Sequence, residues 1–110
     1  MTEQNSDSTA TQSKSTVTQV AVVQHNAGID VEANLIKLEL LSTQAASEGA
    51  QLITWPEAFA YLGRHDGKKE ILESLSEGGP ILARCQALAR SLNCQLLLGG
   101  FHEAVEGDPD

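Results

Sequence analysis

Glu57 is the carboxylate in this sequence with the clearest opportunity for proton transfer. It follows Pro56 directly, at the end of the apolar run Leu52–Trp55, and is flanked by Trp55, Ala58 and Phe59. A carboxylate in so apolar a setting is partly desolvated, which makes it a better proton acceptor and suits it to general-base work. The plainer reading is a surface glutamate that caps the next segment, because acidic residues often start helices.

Other chemistry-bearing residues follow two further apolar runs. Gln24-His25-Asn26 follows Val20–Val23, and Gly99-Gly100-Phe101-His102-Glu103 follows Leu96–Leu98. His25, His102, Glu57 and Glu103 can hold zinc or iron if the three runs lie side by side. Their spacing matches no compact metal motif, and hydrogen-bonded or solvated histidine is the simpler reading. His65, in Arg64-His65-Asp66-Gly67, reads as a surface residue. Gly99-Gly100 invites a phosphate-binding reading but lacks the Gly-x-Gly-x-x-Gly pattern and a following helix. Close backbone packing at a strand end explains it better. Cys85 falls on an apolar helical stripe and Cys94 opens the third run, so both read as small inert hydrophobes rather than nucleophiles. Lys68 and Lys69 sit in a polar stretch and read as solvated charge. Loop structure and capping account for Asn26 and Asp30.

The elements that must position these residues follow from periodicity. The three apolar runs are apolar at successive positions, as in strands of a parallel sheet buried on both faces. Between the first two runs, Asp30 is a suitable N-cap, Glu32 a favourable first-turn acid, and Leu35, Leu38, Leu41 and Ala45 form one stripe, with Gly49 as the stop. Between the second and third, Asp66 is expected to cap a short helix over Lys68–Leu75. Gly78-Gly79 then breaks the chain, and Pro80 opens a helix whose stripe is Ile81, Cys85, Leu88 and Leu92, with Asn93 as a left-handed stop. The order is β-α-β-α-α-β, an α/β pattern with right-handed crossovers. Ligands of such sheets gather beyond the carboxyl ends of the strands, where Glu57 emerges.

Composition narrows the function further. The chain has 110 residues and a formal charge of −8, enough for one small domain and wrong in sign for binding a phosphate backbone. No apolar run approaches the roughly 20 residues of a membrane span. Residues 1–16 are rich in Ser, Thr and Gln, lack a signal-peptide core, and are expected to form a disordered tail ahead of a folded part over 17–110. Two cysteines and no secretory signal fit a reducing cytoplasm. With strand order 1-2-3, right-handed crossovers place every helix on one face of the sheet. The other face then leaves roughly six apolar side chains in water, at about 1.5–3 kcal/mol each. The expectation is a missing layer, from further sequence or from a partner chain.

Val20-Ala-Val-Val-Gln24, Asp30-Val-Glu-Ala-Asn34-Leu35, Gly49-Ala-Gln-Leu-Ile-Thr-Trp-Pro-Glu-Ala-Phe59, Gly79-Pro80 and Gly99-Gly100-Phe-His-Glu103 occur in that order. Together they resemble the N-terminal part of the carbon–nitrogen hydrolase (nitrilase) superfamily. Pro-Glu-Ala-Phe-Ala-Tyr-Leu-Gly and Gly-Gly-Phe-His-Glu most resemble its deaminated glutathione amidase branch. The resemblance runs from about Val17 to the C-terminus. It implies an α-β-β-α sandwich, incomplete here, whose subunits pair in the complete form. It also implies a Glu-Lys-Cys triad that hydrolyses a small amide without a cofactor. Glu57 matches the glutamate of that triad. The lysine and the cysteine have no match and would lie beyond Asp110, so the chain alone is expected to be inactive. Trp55 stands where the family often has Leu. A non-catalytic module that docks on a fuller homologue is the alternative, and a small metal-binding domain a remoter one.

Overall fold

The computed structural model describes residues 17–105. The disordered tail expected over residues 1–16 lies outside the described residues. The elements are β1 (Val20–Val22), α1 (Val31–Ser47), β2 (Leu52–Trp55), α2 (His65–Lys68), α3 (Pro80–Leu92) and β3 (Gln95–Leu98). The sheet order is β1-β2-β3 and both pairings are parallel, with Val20 opposite Leu52 and Leu52 opposite Gln95. The chain is therefore α/β, with β2 in the middle of its sheet.

Both long helices start and stop where local chemistry directs. Asp30 accepts a hydrogen bond from the Ala33 amide at 3.1 Å and caps α1. Gly49 follows α1 at φ +105°, a conformation open to glycine. Pro80 begins α3, and Asn93 closes it in the left-handed conformation, at φ 53°. Leu35, Leu38, Ile81 and Cys85 face inward and meet Ile53 and Trp55 of β2 in one apolar cluster with Val23, Phe59 and Ala60. Arg84 of α3 bonds Glu39 at 2.8 Å and Glu32 at 2.6 Å, tying the helices together across their outer edge.

α2 differs from its expected course. It spans four residues, with Arg64 rather than Asp66 at its N-cap, and it ends at Lys68. Tertiary bonds claim the residues beyond it. The Glu73 amide donates to His102 O at 3.4 Å, the Ala104 amide donates to Glu73 O at 2.9 Å, and Ser74 pairs with Gly78. A helix through Leu75 would direct the Glu73 amide to Lys69 O and break its bond to His102 O.

Among the described residues, the sheet is covered on one face only. Ile53 and Trp55 are buried beneath the helices, with Ala21, Leu96 and Leu98 beside them. On the opposite face Val20, Val22 and Leu97 are 54%, 72% and 58% exposed, next to the half-buried Leu52 and Thr54. The bare face is less apolar than six side chains, because Thr54 and Gln95 occupy two of its positions.

Candidate active site

The turn after β2 carries Glu57 out of the sheet at the carboxyl end of the middle strand. Its anchors are apolar. Trp55 and Phe59 are buried on either side of Glu57, with ring centroids 5.2 Å apart, and Phe101 stacks on Phe59 at 6.2 Å. The indole N–H of Trp55 donates to the hydroxyl of Ser42 on α1 at 2.8 Å, in a fully buried contact. The tryptophan thus keeps its polar atom satisfied where a leucine would need no partner.

Backbone conformation confines the turn further. Ala58 sits at φ +55°, which L-residues adopt at a penalty of about 1–2 kcal/mol. Gly99 and Gly100, beyond β3, lie directly against it. A methyl on Gly99 would strike the Trp55 carbonyl oxygen and stand 3.0 Å from the Glu57 nitrogen, and one on Gly100 would stand 2.8 Å from Glu57 Cγ. The glycine pair is there for close approach of two backbones.

Glu57 itself is exposed. The partial desolvation expected from its apolar neighbours in sequence is absent, because Trp55 and Phe59 turn inward and leave the carboxylate in solvent. The capping reading finds no helix either: the residues after Pro56 form a turn, and α2 starts only at His65.

The two rim histidines are hydrogen-bonded to this turn. His25 Nε2 lies 3.2 Å from Phe59 O, and His102 Nε2 lies 3.3 Å from Tyr61 O. Carbonyls only accept, so each Nε2 carries the proton. Nδ1 of His25 is buried with no partner among the described residues. Among the described residues, no group of three or more His, Cys, Asp and Glu side chains is placed to hold a metal ion. His25, Glu57, His102 and Glu103 share a rim without forming a ligand set.

Cys85 is buried on α3, and burial pushes its thiol up to about 11, helped by the charges of Glu73 and Glu39. Such a thiol is a poor nucleophile near neutral pH. The Cys94 thiol is half-buried and donates to Ala50 O at 3.1 Å, at the opposite end of the sheet from Glu57. Lys68 closes α2, outside the Glu57 turn.

The sequence reading passes over three buried polar residues: Ser42, described above, Asn34 and Glu73. Asn34 is buried on α1. Its Nδ2 donates to Gly28 O and to Ala60 O, both at 2.9 Å, and its Oδ1 accepts from the Gly28 amide at 3.0 Å. The available signal was position: Asn34, Leu38 and Ser42 recur every four residues on the inward stripe, and a polar side chain there must find partners. Glu73 is also buried, and its carboxylate accepts from the amides of Ile81 at 2.6 Å and Leu82 at 2.9 Å. It satisfies the start of α3, which Gly79 cannot cap by side chain.

The carbon-nitrogen hydrolase family model matches residues 19–109, and that span takes in β1, the Glu57 turn and the glycine pair. The chain belongs to the carbon-nitrogen hydrolase family. Among curated carbon-nitrogen hydrolase relatives, it is 34% identical over 82 residues to a deaminated glutathione amidase from Dictyostelium discoideum, covering 72% of this chain and 28% of that protein. The Homo sapiens and Bos taurus proteins of the same name are 38% and 39% identical, each over 76% of this chain and 25% of theirs. The chain thus spans about a quarter of the length of the curated relatives it matches. No helix among the described residues is long and apolar enough to cross a membrane.

Proposed function

We propose that this chain supplies the general base and one sheet of a thiol amidase that converts a small linear amide to its acid and ammonia. The observation that carries the reading is Glu57, a carboxylate at the carboxyl end of the middle strand, open to solvent on a turn that neighbouring segments hold. Glu57 takes the proton of a cysteine thiol while its sulfur bonds to the amide carbon. A lysine ammonium stabilises the oxyanion of the tetrahedral intermediate. Glu57 passes the proton to the departing nitrogen, the C–N bond breaks and ammonia leaves. It then takes a proton from water, whose oxygen attacks the thioester carbon. The C–S bond breaks, the proton returns to the thiolate, and one amide and one water have become one acid and one ammonia. The lysine and cysteine belong, in this reading, to polypeptide that follows Asp110.

The uncovered sheet face supports the same picture. Val20, Val22 and Leu97 would meet a second sheet in an α-β-β-α sandwich, and such subunits would pair into an oligomer. The free thiols of Cys85 and Cys94 suit the cytoplasm. The names of the relatives make deaminated glutathione the first amide to try. The same bare face favours a second reading, a non-catalytic module docked on a fuller homologue.

Ammonia release from deaminated glutathione tests the first reading. The 110-residue chain should release none above background. A protein in which the chain continues into the lysine and cysteine should turn over, and should lose several powers of ten in rate in Glu57→Gln and on thiol alkylation. Turnover lost in Glu57→Gln but indifferent to alkylation would overturn the thiol mechanism. A compact monomer of the 110-residue chain that binds no apolar dye would contradict both readings.

A further inference from the structure

Three consecutive carbonyls in the turn after β2 each accept an N–H from a different side chain. Phe59 O faces His25 Nε2 at 3.2 Å, Ala60 O faces Asn34 Nδ2 at 2.9 Å, and Tyr61 O faces His102 Nε2 at 3.3 Å. The donors come from three separate segments: the loop after β1, the first turn of α1, and the strand exit after β3. Asn34 also holds both polar atoms of Gly28, and Gly28 O in turn accepts the Leu62 amide at 3.0 Å. The turn is therefore fastened to the β1 loop at both ends of this run.

This fastening explains how Ala58 stays at φ +55°. A strained residue persists only when its surroundings over-determine it. Gly99 and Gly100 wall the turn on one side, Trp55 and Phe59 root it below, and the three donors fix the carbonyls that follow. Loss of the donors would weaken the constraint on Ala58, and relaxation to negative φ would carry Glu57 away from Gly100.

We propose that His25, Asn34 and His102 are positioning residues for Glu57, setting the direction of its side chain by holding the carbonyls of Phe59, Ala60 and Tyr61. The proposal rests on the reading of Glu57 as the general base.

Nuclear magnetic resonance of the full 110-residue chain tests it. The close approach of Gly100 to Glu57 Cγ predicts a cross-peak between Gly100 Hα and Glu57 Hγ. Asn34→Asp replaces a donor by an acceptor, His102→Phe keeps a ring without the N–H, and His102→Gln keeps an N–H without the ring. The first two should lose the cross-peak and speed Leu62 amide exchange by roughly tenfold or more, with the β2 amides unchanged. His102→Gln should restore both. If Asn34→Asp unfolds the chain, the pair of His102 variants decides alone. Faster Leu62 exchange with an undiminished cross-peak in His102→Phe overturns the proposal, because the turn would then loosen without moving Glu57. Amide turnover that survives Glu57→Gln would instead remove the general-base reading and leave the cross-peak result standing.

Discussion

Gly100 stands so close to Glu57 that a methyl group on it would meet Glu57 Cγ at 2.8 Å and the Ala58 nitrogen at 3.1 Å. Gly99 is tighter still, since its methyl would strike the Trp55 carbonyl oxygen and approach the Pro56 carbonyl carbon at 2.8 Å. The two positions therefore differ in what must give way. At Gly99 every crowding atom is backbone, whereas at Gly100 the closest is in the glutamate side chain and the backbone atoms stand at 3.1 and 3.2 Å, where a shift of a few tenths of an ångström suffices. Gly99→Ala should lower the denaturant midpoint by an amount worth about 1–3 kcal/mol, as overpacking does. Gly100→Ala should lower it less, yet abolish the Gly100–Glu57 cross-peak. Equal losses of stability would show that the strand exit yields as a unit.

Trp55 and Ser42 form a second pairing, from the middle strand to α1, with an indole N–H to hydroxyl distance of 2.8 Å. Ser42→Ala leaves that N–H buried without an acceptor and should destabilise the chain by about 1–3 kcal/mol. Once Trp55 is replaced by Leu there is no N–H to satisfy, so Ser42→Ala should then have a much smaller effect. A double-mutant cycle by urea unfolding reads the difference. Additive effects would mean that the hydroxyl is held by something other than the indole.

Much of this arrangement is legible in the residues themselves. The three strands, the Asp30 cap, the Asn93 stop and the stripe from Ile81 to Leu92 follow from local signals, because each depends on neighbours within one or two turns. The position of Glu57 follows as well, since Pro56 ends the middle strand and parallel sheets gather their sites at that end. What is not legible depends on distant partners. Glu73 lies outside α3, separated from it by Gly78-Gly79, yet its carboxylate serves the helix start. The same commitment, with the pairing of Glu73 to the segment after β3, cuts α2 short at Lys68. The solvation of Glu57 is not legible because sequence neighbours are not spatial neighbours: Trp55 and Phe59 are buried in the core while the carboxylate stays exposed.

Glu73 gives a third prediction. Its two oxygens accept the amides of Ile81 and Leu82, and a methyl on Gly79 would collide with the same carboxylate. Glu73→Ala should uncap α3 and lower stability by about 1–2 kcal/mol, the range of a lost N-cap. Glu73→Gln keeps one oxygen acceptor and should fall between the wild type and Ala. Hydrogen exchange of the Ile81 and Leu82 amides is the local readout. If those amides exchange no faster in Glu73→Ala, then water or another side chain caps the helix equally well.

Cys85 yields a pH prediction whose sign follows from its burial. The thiol ordinarily titrates at 9.0, and in the folded chain it is pushed up to about 11, first by desolvation and then by the charges of Glu73 and Glu39. Above pH 9 the unfolded chain releases the thiol proton while the folded chain still holds it. The unfolded state then binds fewer protons, so stability falls as pH rises. This contribution is fully present below pH 9, declines between 9 and about 11, and is gone once pH exceeds the folded value. Cys85→Ala, having no thiol, should show a flatter stability profile across that window than the wild type. The same burial orders the reactivity of the two cysteines. Iodoacetamide at pH 8 should label the half-buried Cys94 before the buried Cys85, with Cys85 reacting at the rate of global unfolding. Rapid labelling of Cys85 in the folded chain, or identical pH profiles for wild type and Cys85→Ala, would show that the α1–α3 interface opens far more readily than its packing implies.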